Sequence, residues 1–415
     1  MRTVVLGGGV VGVTTAYYLA QEGHEVELVE RRTALAQDAS SGNACLIAPG
    51  HSFSWASPAA PRMMVRSLLG DQTAIRVRAR LDPDLVRWGV RFLRECTSAR
   101  AEHNTKVKLR LAQYSQRALD AVVREEAIDY GHTSQGILYI YRDEQELQAG
   151  FAKAELLRRH GQDQEVLDVA EIVRREPALA AARDRIAGAV FDRGDSSGDS
   201  ERFTNELAER CRRLGVRFRM GAAAHRLEHA GDRITGVVVD GTTLRADLYV
   251  LALGVDSPRL ARTAGLRLPM YPAKGYTATF PIRDGDAAPS HGGVDEATLV
   301  AWSNLGDRLR MSSTAEFAGF GRGWAETDFT NIRRMAQELF PDAADYDDGH
   351  YRACLRPMTP GGQPIVGFGR HRNLMFNTGH GHMGWTMACG SALIARDLAA
   401  GRRPEMTFDG PGARG

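Results

Sequence analysis

Three stretches of this 415-residue chain hold residues whose types and spacing could do chemistry. The first is Gly7-Gly8-Gly9-Val10-Val11-Gly12, with an acid, Glu30, 18 positions after the last glycine. That spacing suits a pyrophosphate. Gly7 allows a tight turn out of a strand, Gly9 lets backbone approach phosphate oxygens, and Gly12 lets a helix pack close to the sheet. N–H groups of the first helical turn, at Val10 and Val11, would face the phosphates. Glu30 would accept a hydrogen bond from a ribose hydroxyl. The motif points to FAD or NAD(P) and leaves the choice open. The second stretch runs Asn377-Thr378-Gly379-His380-Gly381-His382-Met383-Gly384-Trp385-Thr386. It is a glycine turn at a helix start, whose positive end can stabilise charge on a reduced flavin ring. Its two histidines have no third ligand nearby, so no metal is expected. The third stretch, Leu355-Arg356-Pro357-Met358-Thr359-Pro360-Gly361-Gly362, places an arginine before a rigid turn, which suits bidentate capture of a carboxylate.

Around these lie the elements that must position them. Residues 4–6 read as a strand, 10–22 as an amphipathic helix and 25–30 as a second strand. A polar loop follows at 39–44, then an irregular stretch at 49–62 containing Pro49-Gly50-His51 and Trp55, of the kind that lines sites. Helical periodicity fills 82–127, and 143–183 reads as charged helix bounded by Pro177. Strands are expected at 136–141, 188–191, 216–220, 234–239 and 248–253, with Asp240-Gly241 as a hairpin turn. Helix 203–214 precedes the last three. A second sheet would use 271–280, 298–302 and 309–313, followed by a helix at 330–339. A final strand, 374–377, leads into a helix over 385–400. Nucleotide-type signals at both ends and in the middle imply a discontinuous dinucleotide domain.

Composition narrows the class. The chain is 43% hydrophobic and 25% charged, with a net charge of +2, which argues against a nucleic-acid partner. No apolar run approaches the roughly 18 residues of a membrane span. Composition leaves peripheral membrane contact open. Cys45, Cys96, Cys211, Cys354 and Cys389 are scattered without a C-x-x-C pair, as expected for reduced thiols in a cytoplasmic protein. Met1-Arg2-Thr3 leads directly into the first strand, so no leader peptide is expected.

Taken in order, the glycine fingerprint, Ser41-Gly42-Asn43-Ala44, Tyr271-Pro272-Ala273-Lys274-Gly275-Tyr276, the Arg356 turn and the Asn377–Gly381 turn resemble bacterial FAD-dependent D-amino acid dehydrogenases. These belong to the wider D-amino acid oxidase, glycine oxidase and sarcosine oxidase family, and the resemblance covers about residues 1–405. It implies an α/β fold of two domains. A discontinuous Rossmann-type FAD-binding domain (1–80, 196–270, 350–415) would sit beside a mixed antiparallel-sheet substrate domain (81–195, 271–349). By position, Glu30 would bind the adenosine ribose, with Arg31 and Arg32 beside the adenine and Ala224 offering backbone to it. Ser41, Gly42, Asn43, Ala44 and Leu46 would pass near the pyrophosphate and flavin. Gly254 would border the cofactor. Gly379, His380, Gly381, Gly384, Trp385 and Thr386 would hold the flavin O2 edge. Arg356 would pair with the substrate carboxylate. Arg310 falls where sarcosine oxidases keep an oxygen-activating lysine, with Lys274 and Tyr276 on the neighbouring strand. His51, Tyr276 and His380 are candidates to hydrogen-bond the amine.

Two departures stand out. Cys45 replaces the usual glycine after Asn-Ala. Cys354 falls where sarcosine oxidases attach the flavin, although a buried unreacted thiol is the expectation. The implied reaction is hydride transfer from Cα to flavin, then imine hydrolysis to a 2-oxo acid and ammonia, with electrons passed to a quinone or other acceptor. The alternative is an oxidase of a D-amino acid or secondary amine that uses O₂. An NADP-dependent reductase, encouraged by Arg31-Arg32, and a flavin-carrying subunit of an electron-transfer complex are the remaining readings.

Overall fold

The computed structural model describes residues 1–68, 75–78 and 81–408. The buried apolar run Arg2–Leu6 (β1) lies parallel to Glu25–Glu30 (β2), joined by the helix Val10–Gln21 (α1). Gly7 makes the turn between β1 and α1 at φ +115°, and a Cβ there would lie 2.4 Å from the Ala252 carbonyl oxygen. Only glycine takes that backbone without strain. The six-stranded sheet runs in the order Ile365–Phe368, Leu374–Thr378, Leu248–Leu251, β1, β2, Arg217–Met220. Its pairs are parallel except the first, and its strands come from widely separated parts of the chain.

Helices α1, Ser200–Arg213 and Gly384–Ala399 cover one face of this sheet, burying Val13, Tyr17, Phe203 and Trp385 with Val5 and Val250. A small hairpin sheet, Ala224–Ala230, Arg233–Val239 and Thr242–Leu244, packs on the other face through Leu227 and Val237. Asp240 and Gly241 both take positive φ, as a two-residue hairpin turn requires.

The larger sheet is mixed. Its path is His350–Met358, Tyr271–Pro281, Arg308–Phe317, Val300–Asn304, Gly292–Asp295, Ile137–Tyr141, Gly188–Asp192, Gln164–Leu167, and Ile75–Val77 pairs with Arg308–Phe317 off that path. Over its site-facing end lie the helix Ala60–Leu68 (α2) and the helix Pro83–Glu95 (α3), and Ser98–Glu126 (α4) packs on Gly384–Ala399.

Several elements differ from the sequence expectation. The helical stretch 82–127 divides at Thr97, whose hydroxyl caps α4 by accepting from Arg100 N. Within 143–183 a strand appears at Gln164–Leu167, and Pro177 opens a 3₁₀ helix. Gln164–Leu167 buries only its two ends, too short for a periodic signal. Residues 49–62, read as irregular, hold a 3₁₀ turn at Pro49–His51 and the start of α2. The Arg356 segment is the end of a nine-residue strand, His350–Met358, rather than an isolated turn.

Candidate active site

The carboxyl ends of β1, β2 and Leu248–Leu251 open into a cavity of about 1370 Å³, lined by Gly7, Gly9, Val10, Val11 and Glu30. Ligands of open parallel sheets bind at that edge. A Cβ on Gly9 would meet only Ser40 Oγ, at 3.1 Å, so Gly9 faces open space. Gly12 does a different job. Its Cβ would fall 1.9 Å from the Gly7 carbonyl oxygen, so it sets the helix-to-turn distance and does not line the cavity. Glu30 accepts from Gly8 N at 2.6 Å and Arg32 N at 2.8 Å, which fixes its carboxylate at the cavity rim. Ala224, Gly254, Gly379, Gly381 and Gly384 complete the wall. A long, glycine-lined slot that begins at a helix N-terminus, where Gly9 has no side chain and Val10 N donates to Ser40 Oγ at 2.9 Å, fits FAD.

Arg31 lines this cavity and Arg32 does not. Both are held by acids: Arg31 to Asp38 at 2.5 Å and Asp256 at 2.7 Å, Arg32 to Asp38 at 3.0 Å. Arg322, which sequence reasoning missed, reaches in from the loop after Arg308–Phe317. It bonds the same two acids, at 3.0 Å and 2.9 Å. Burial pushes the Asp38 carboxyl up, but Arg322, Arg31 and Arg32 outweigh it and hold it below the usual carboxylate range.

The Ser41-Gly42-Asn43 loop is gripped through its backbone. Thr277 Oγ1 donates to Gly42 O at 2.9 Å, and Cys354 Sγ donates to the same oxygen at 3.1 Å. Arg310 Nη1 donates to Ser41 O at 2.9 Å and Asn43 O at 3.1 Å. Arg310 therefore positions the loop and lines neither of the two large cavities, contrary to its expected place facing the flavin. Cys45 sits at φ +59°, the left-handed conformation that glycine adopts freely, with its N–H held by Asn43 Oδ1. Burial pushes the Cys354 thiol up.

A second cavity, of about 870 Å³, meets the first at Asn43, Arg356, His382 and Trp385. Its walls are mainly apolar: Leu46, Ala48, Val294, Leu299, Ala301 and Ala315, with Ala44 and Thr386 at its edge. The Thr386 hydroxyl accepts from Ala48 N at 3.2 Å and so ties that wall to the terminal helix. Arg356 is half-buried between the cavities, and desolvation there lowers its pKa from the ordinary arginine value. Its side chain lies over Gly275, where a Cβ would come within 2.4 Å of Nη2. This corrects the choice of Lys274 and Tyr276. On a strand, alternate residues face opposite sides, so Gly275 faces Arg356 while its neighbours point away. Lys274 Nζ bonds Gly323 O at 2.8 Å, and Tyr276 bonds Glu316 at 2.7 Å.

The histidines also need correction. His380 Nε2 is tied to Ser391 Oγ at 2.9 Å inside the helix packing, and burial depresses its pKa to about 3. It borders the cofactor cavity as a structural residue. His382, two positions on, lines both cavities and stacks on Trp55 with ring centres 4.6 Å apart. Its buried Nε2 has no hydrogen-bond partner among the described residues, and burial with nearby Lys108, His51 and Arg356 holds its pKa well below the usual histidine value. The sequence signal was the glycine turn itself; nothing in it separated one histidine from the other.

His51 does line the second cavity. Its ring stacks on Tyr139 at 5.3 Å, and its Nε2 lies 2.9 Å from Glu296 Oε1. The Tyr139 hydroxyl donates to Asp195 at 2.5 Å, and Asp195 also accepts from Gly50 N at 2.9 Å. Gln164 links Gly50 O to Asp192. Burial raises Asp192 to about 6, and burial with Asp192 beside it raises Asp195 well above the usual range. A Cβ on Gly50 would collide with both carboxylates, so the Pro49–His51 turn is clamped onto this pair.

Residues 2–398 match the family model "DAO: FAD dependent oxidoreductase". The chain is 44% identical to D-amino acid dehydrogenase 2 of Mesorhizobium japonicum over 99% of both chains. It is also 44% identical to a D-amino acid dehydrogenase of Methylobacterium radiotolerans, over 99% of this chain and 98% of that one. Among solved structures, glycine oxidase of Geobacillus kaustophilus superposes with a TM-score of 0.78 at 20% identity, covering 98% and 97% of the two chains. Iminodiacetate oxidase of a Chelativorans species gives 0.75 at 18%, covering 100% and 99%. Those two likenesses establish the two-domain mixed α/β fold. The glycine-lined slot and the full-length match lead to one assignment: the chain belongs to the DAO family of FAD-dependent oxidoreductases.

Proposed function

We propose that this chain oxidises a D-amino acid to the 2-oxo acid and ammonia and passes the electrons to a quinone or another carrier. Bound FAD would supply the hydride-accepting chemistry. The chain's residues hold the substrate. The Arg356 guanidinium takes the carboxylate, His51 and His382 hydrogen-bond the amine, and the Leu46, Ala48, Val294 and Ala301 walls hold the side chain and exclude water. The observation that carries this reading is a half-buried arginine at the junction of two cavities, with no Asp or Glu among the described residues lining the second. A guanidinium at the mouth of a mainly apolar cavity favours an anionic head. D-selectivity rests on the names of the relatives. Glu30 and Ala224 would take the adenosine, Ser41 to Ala44 the pyrophosphate and ring, and Gly379 to Trp385 the O2 edge.

The engagement of Arg310 with loop carbonyls favours a dehydrogenase over an oxidase, since no lysine stands at that position. Cys354 donates to Gly42 O, which supports a non-covalent flavin. Acid precipitation should leave all the yellow colour in the supernatant. The division into 1–80, 196–270 and 350–415 against 81–195 and 271–349, and a cytoplasmic location with or without peripheral contact at the inner membrane face, belong to the same proposal. The test is turnover of D-, L- and N-alkyl amino acids with a dye acceptor, assaying 2-oxo acid and ammonia. D-amino acids should turn over without hydrogen peroxide in air. Peroxide at the full turnover rate would show an oxidase, and turnover of N-alkyl substrates alone would overturn the substrate class.

A further inference from the structure

Exposed apolar side chains are unevenly placed on this molecule. Of the twelve large exposed ones among the described residues, six are Met63, Val65, Leu81, Val86, Val90 and Leu93. On α3, Val86, Val90 and Leu93 recur at i, i+4 and i+7 and form one outward stripe. The opposite stripe, Trp88 and Phe92, is buried in the core with Tyr271 and Phe317. This helix is therefore apolar on two sides, and only one is covered. Arginines flank the outer stripe at Arg87, Arg91 and Arg94, and α2 adds Arg62 and Arg66, all exposed. No acid lies on α2. Residues 60–95 contain eight arginines and four acids, a net charge of +4, against +2 for the whole chain. The remainder of the molecule is thus net acidic, and its positive charge is concentrated where its apolar surface is.

We propose that this α2–α3 face is the docking surface for an anionic phospholipid bilayer. Exposed aliphatic side chains ringed by arginine match the physics of interfacial helices, whose apolar stripe enters the acyl boundary while basic residues meet lipid phosphates. A second feature fits this orientation. An apolar crevice of about 360 Å³ opens beneath the two helices, lined by Met63, Met64, Trp88, Phe92 and Trp55. Trp55 also lines the second cavity, where it stacks on His382. The apolar surface is therefore continuous, through one tryptophan, with the junction that holds Arg356. A lipid-dissolved electron carrier would approach the site from this side. The docking claim itself does not depend on the catalytic reading.

The test is co-sedimentation of the FAD-loaded full chain with phosphatidylcholine vesicles, with and without phosphatidylglycerol. Pelleting with anionic vesicles, lost in high salt, is the expected result. The variant Val86→Ser/Val90→Ser/Leu93→Ser and the variant Arg91→Glu/Arg94→Glu should each weaken it on the order of tenfold. Unchanged flavin content and melting temperature would show that both remain folded, which their exposed positions favour. No pelleting, equal pelleting on neutral vesicles, or undiminished pelleting by both variants would overturn the proposal. So would a dimer in lipid-free size-exclusion chromatography that the serine variant converts to monomer, since a second copy would then cover the face. Because the readout is binding, a failure of the catalytic assignment leaves this result intact.

Discussion

The cofactor slot and the substrate cavity meet at Arg356 yet are built in opposite ways. The slot is mostly backbone: Gly7, Gly9, Gly254 and Gly379 define it by having no side chain, and Glu30 is fixed by the N–H groups of Gly8 and Arg32. The cavity is mostly side chain. Arg356, His51, His382, Trp55 and Leu299 line it; Glu296 holds His51 from outside the wall, and His382 and Trp55 hold each other by stacking. A backbone site needs spacing, which a sequence displays directly. A side-chain site needs orientation, which depends on register and on partners far along the chain.

The sharpest way to break this contrast is to add a side chain behind the turn that shapes the slot. Gly12→Val would drive a Cβ into the Gly7 carbonyl, so the purified protein should be colourless, with flavin content near zero by absorbance. Full yellow colour would mean that the glycine spacing does not set the slot.

The next largest effect lies at the junction. Arg356→Ala should keep the flavin and raise KM on the order of 100-fold, as expected when a charge-assisted carboxylate contact of about 3 kcal/mol is lost. Glu296→Gln tests the outer support of His51. Its carboxylate stays ionised despite burial, because His51 and Lys153 hold its pKa low. Losing that charge should lower kcat/KM about tenfold with flavin content unchanged.

The buried acids beneath Gly50 give a stability prediction with a definite sign. Burial raises the Asp192 carboxyl from 3.8 to about 6. Between those values the folded chain holds a proton that the unfolded chain has lost. The contribution of Asp192 to stability is therefore greatest below pH 4 and falls as pH rises through 6. Asp192→Asn should remove on the order of 2 kcal/mol of this pH dependence, read from urea midpoints at pH 4 and pH 7. An identical slope in both proteins would place the proton elsewhere. The smallest effect is Cys45→Gly. It relieves a left-handed residue but deletes a buried side chain, so stability should change by less than about 1 kcal/mol with activity intact.

The same contrast explains what could be read beforehand. Gly7, Gly9 and Glu30, read from local spacing, line the slot, and so do Ala224 and Gly254, which came from the family resemblance. Arg356 was legible because a proline turn follows it. Lys274 and Tyr276 were misplaced by one residue of strand alternation; Gly275, which makes room for Arg356, was the informative member of that run. His380 was chosen over His382 because both sit in one glycine turn, and only packing against Ser391 or Trp55 tells them apart. Glu296, Asp195 and Arg322 left no local signal. Each acts on a partner well over a hundred residues away along the chain.

The central claim is that one cavity holds FAD while Arg356 in the next presents an amino acid to it. Anaerobic titration of the purified holoenzyme with D-amino acids, following the flavin absorbance, tests this most directly. The wild-type spectrum should bleach, and Arg356→Ala with equal flavin content should need on the order of 100-fold more substrate to reach the same bleaching. Bleaching by no D-amino acid, or equal bleaching of the two proteins at equal substrate, would contradict the account.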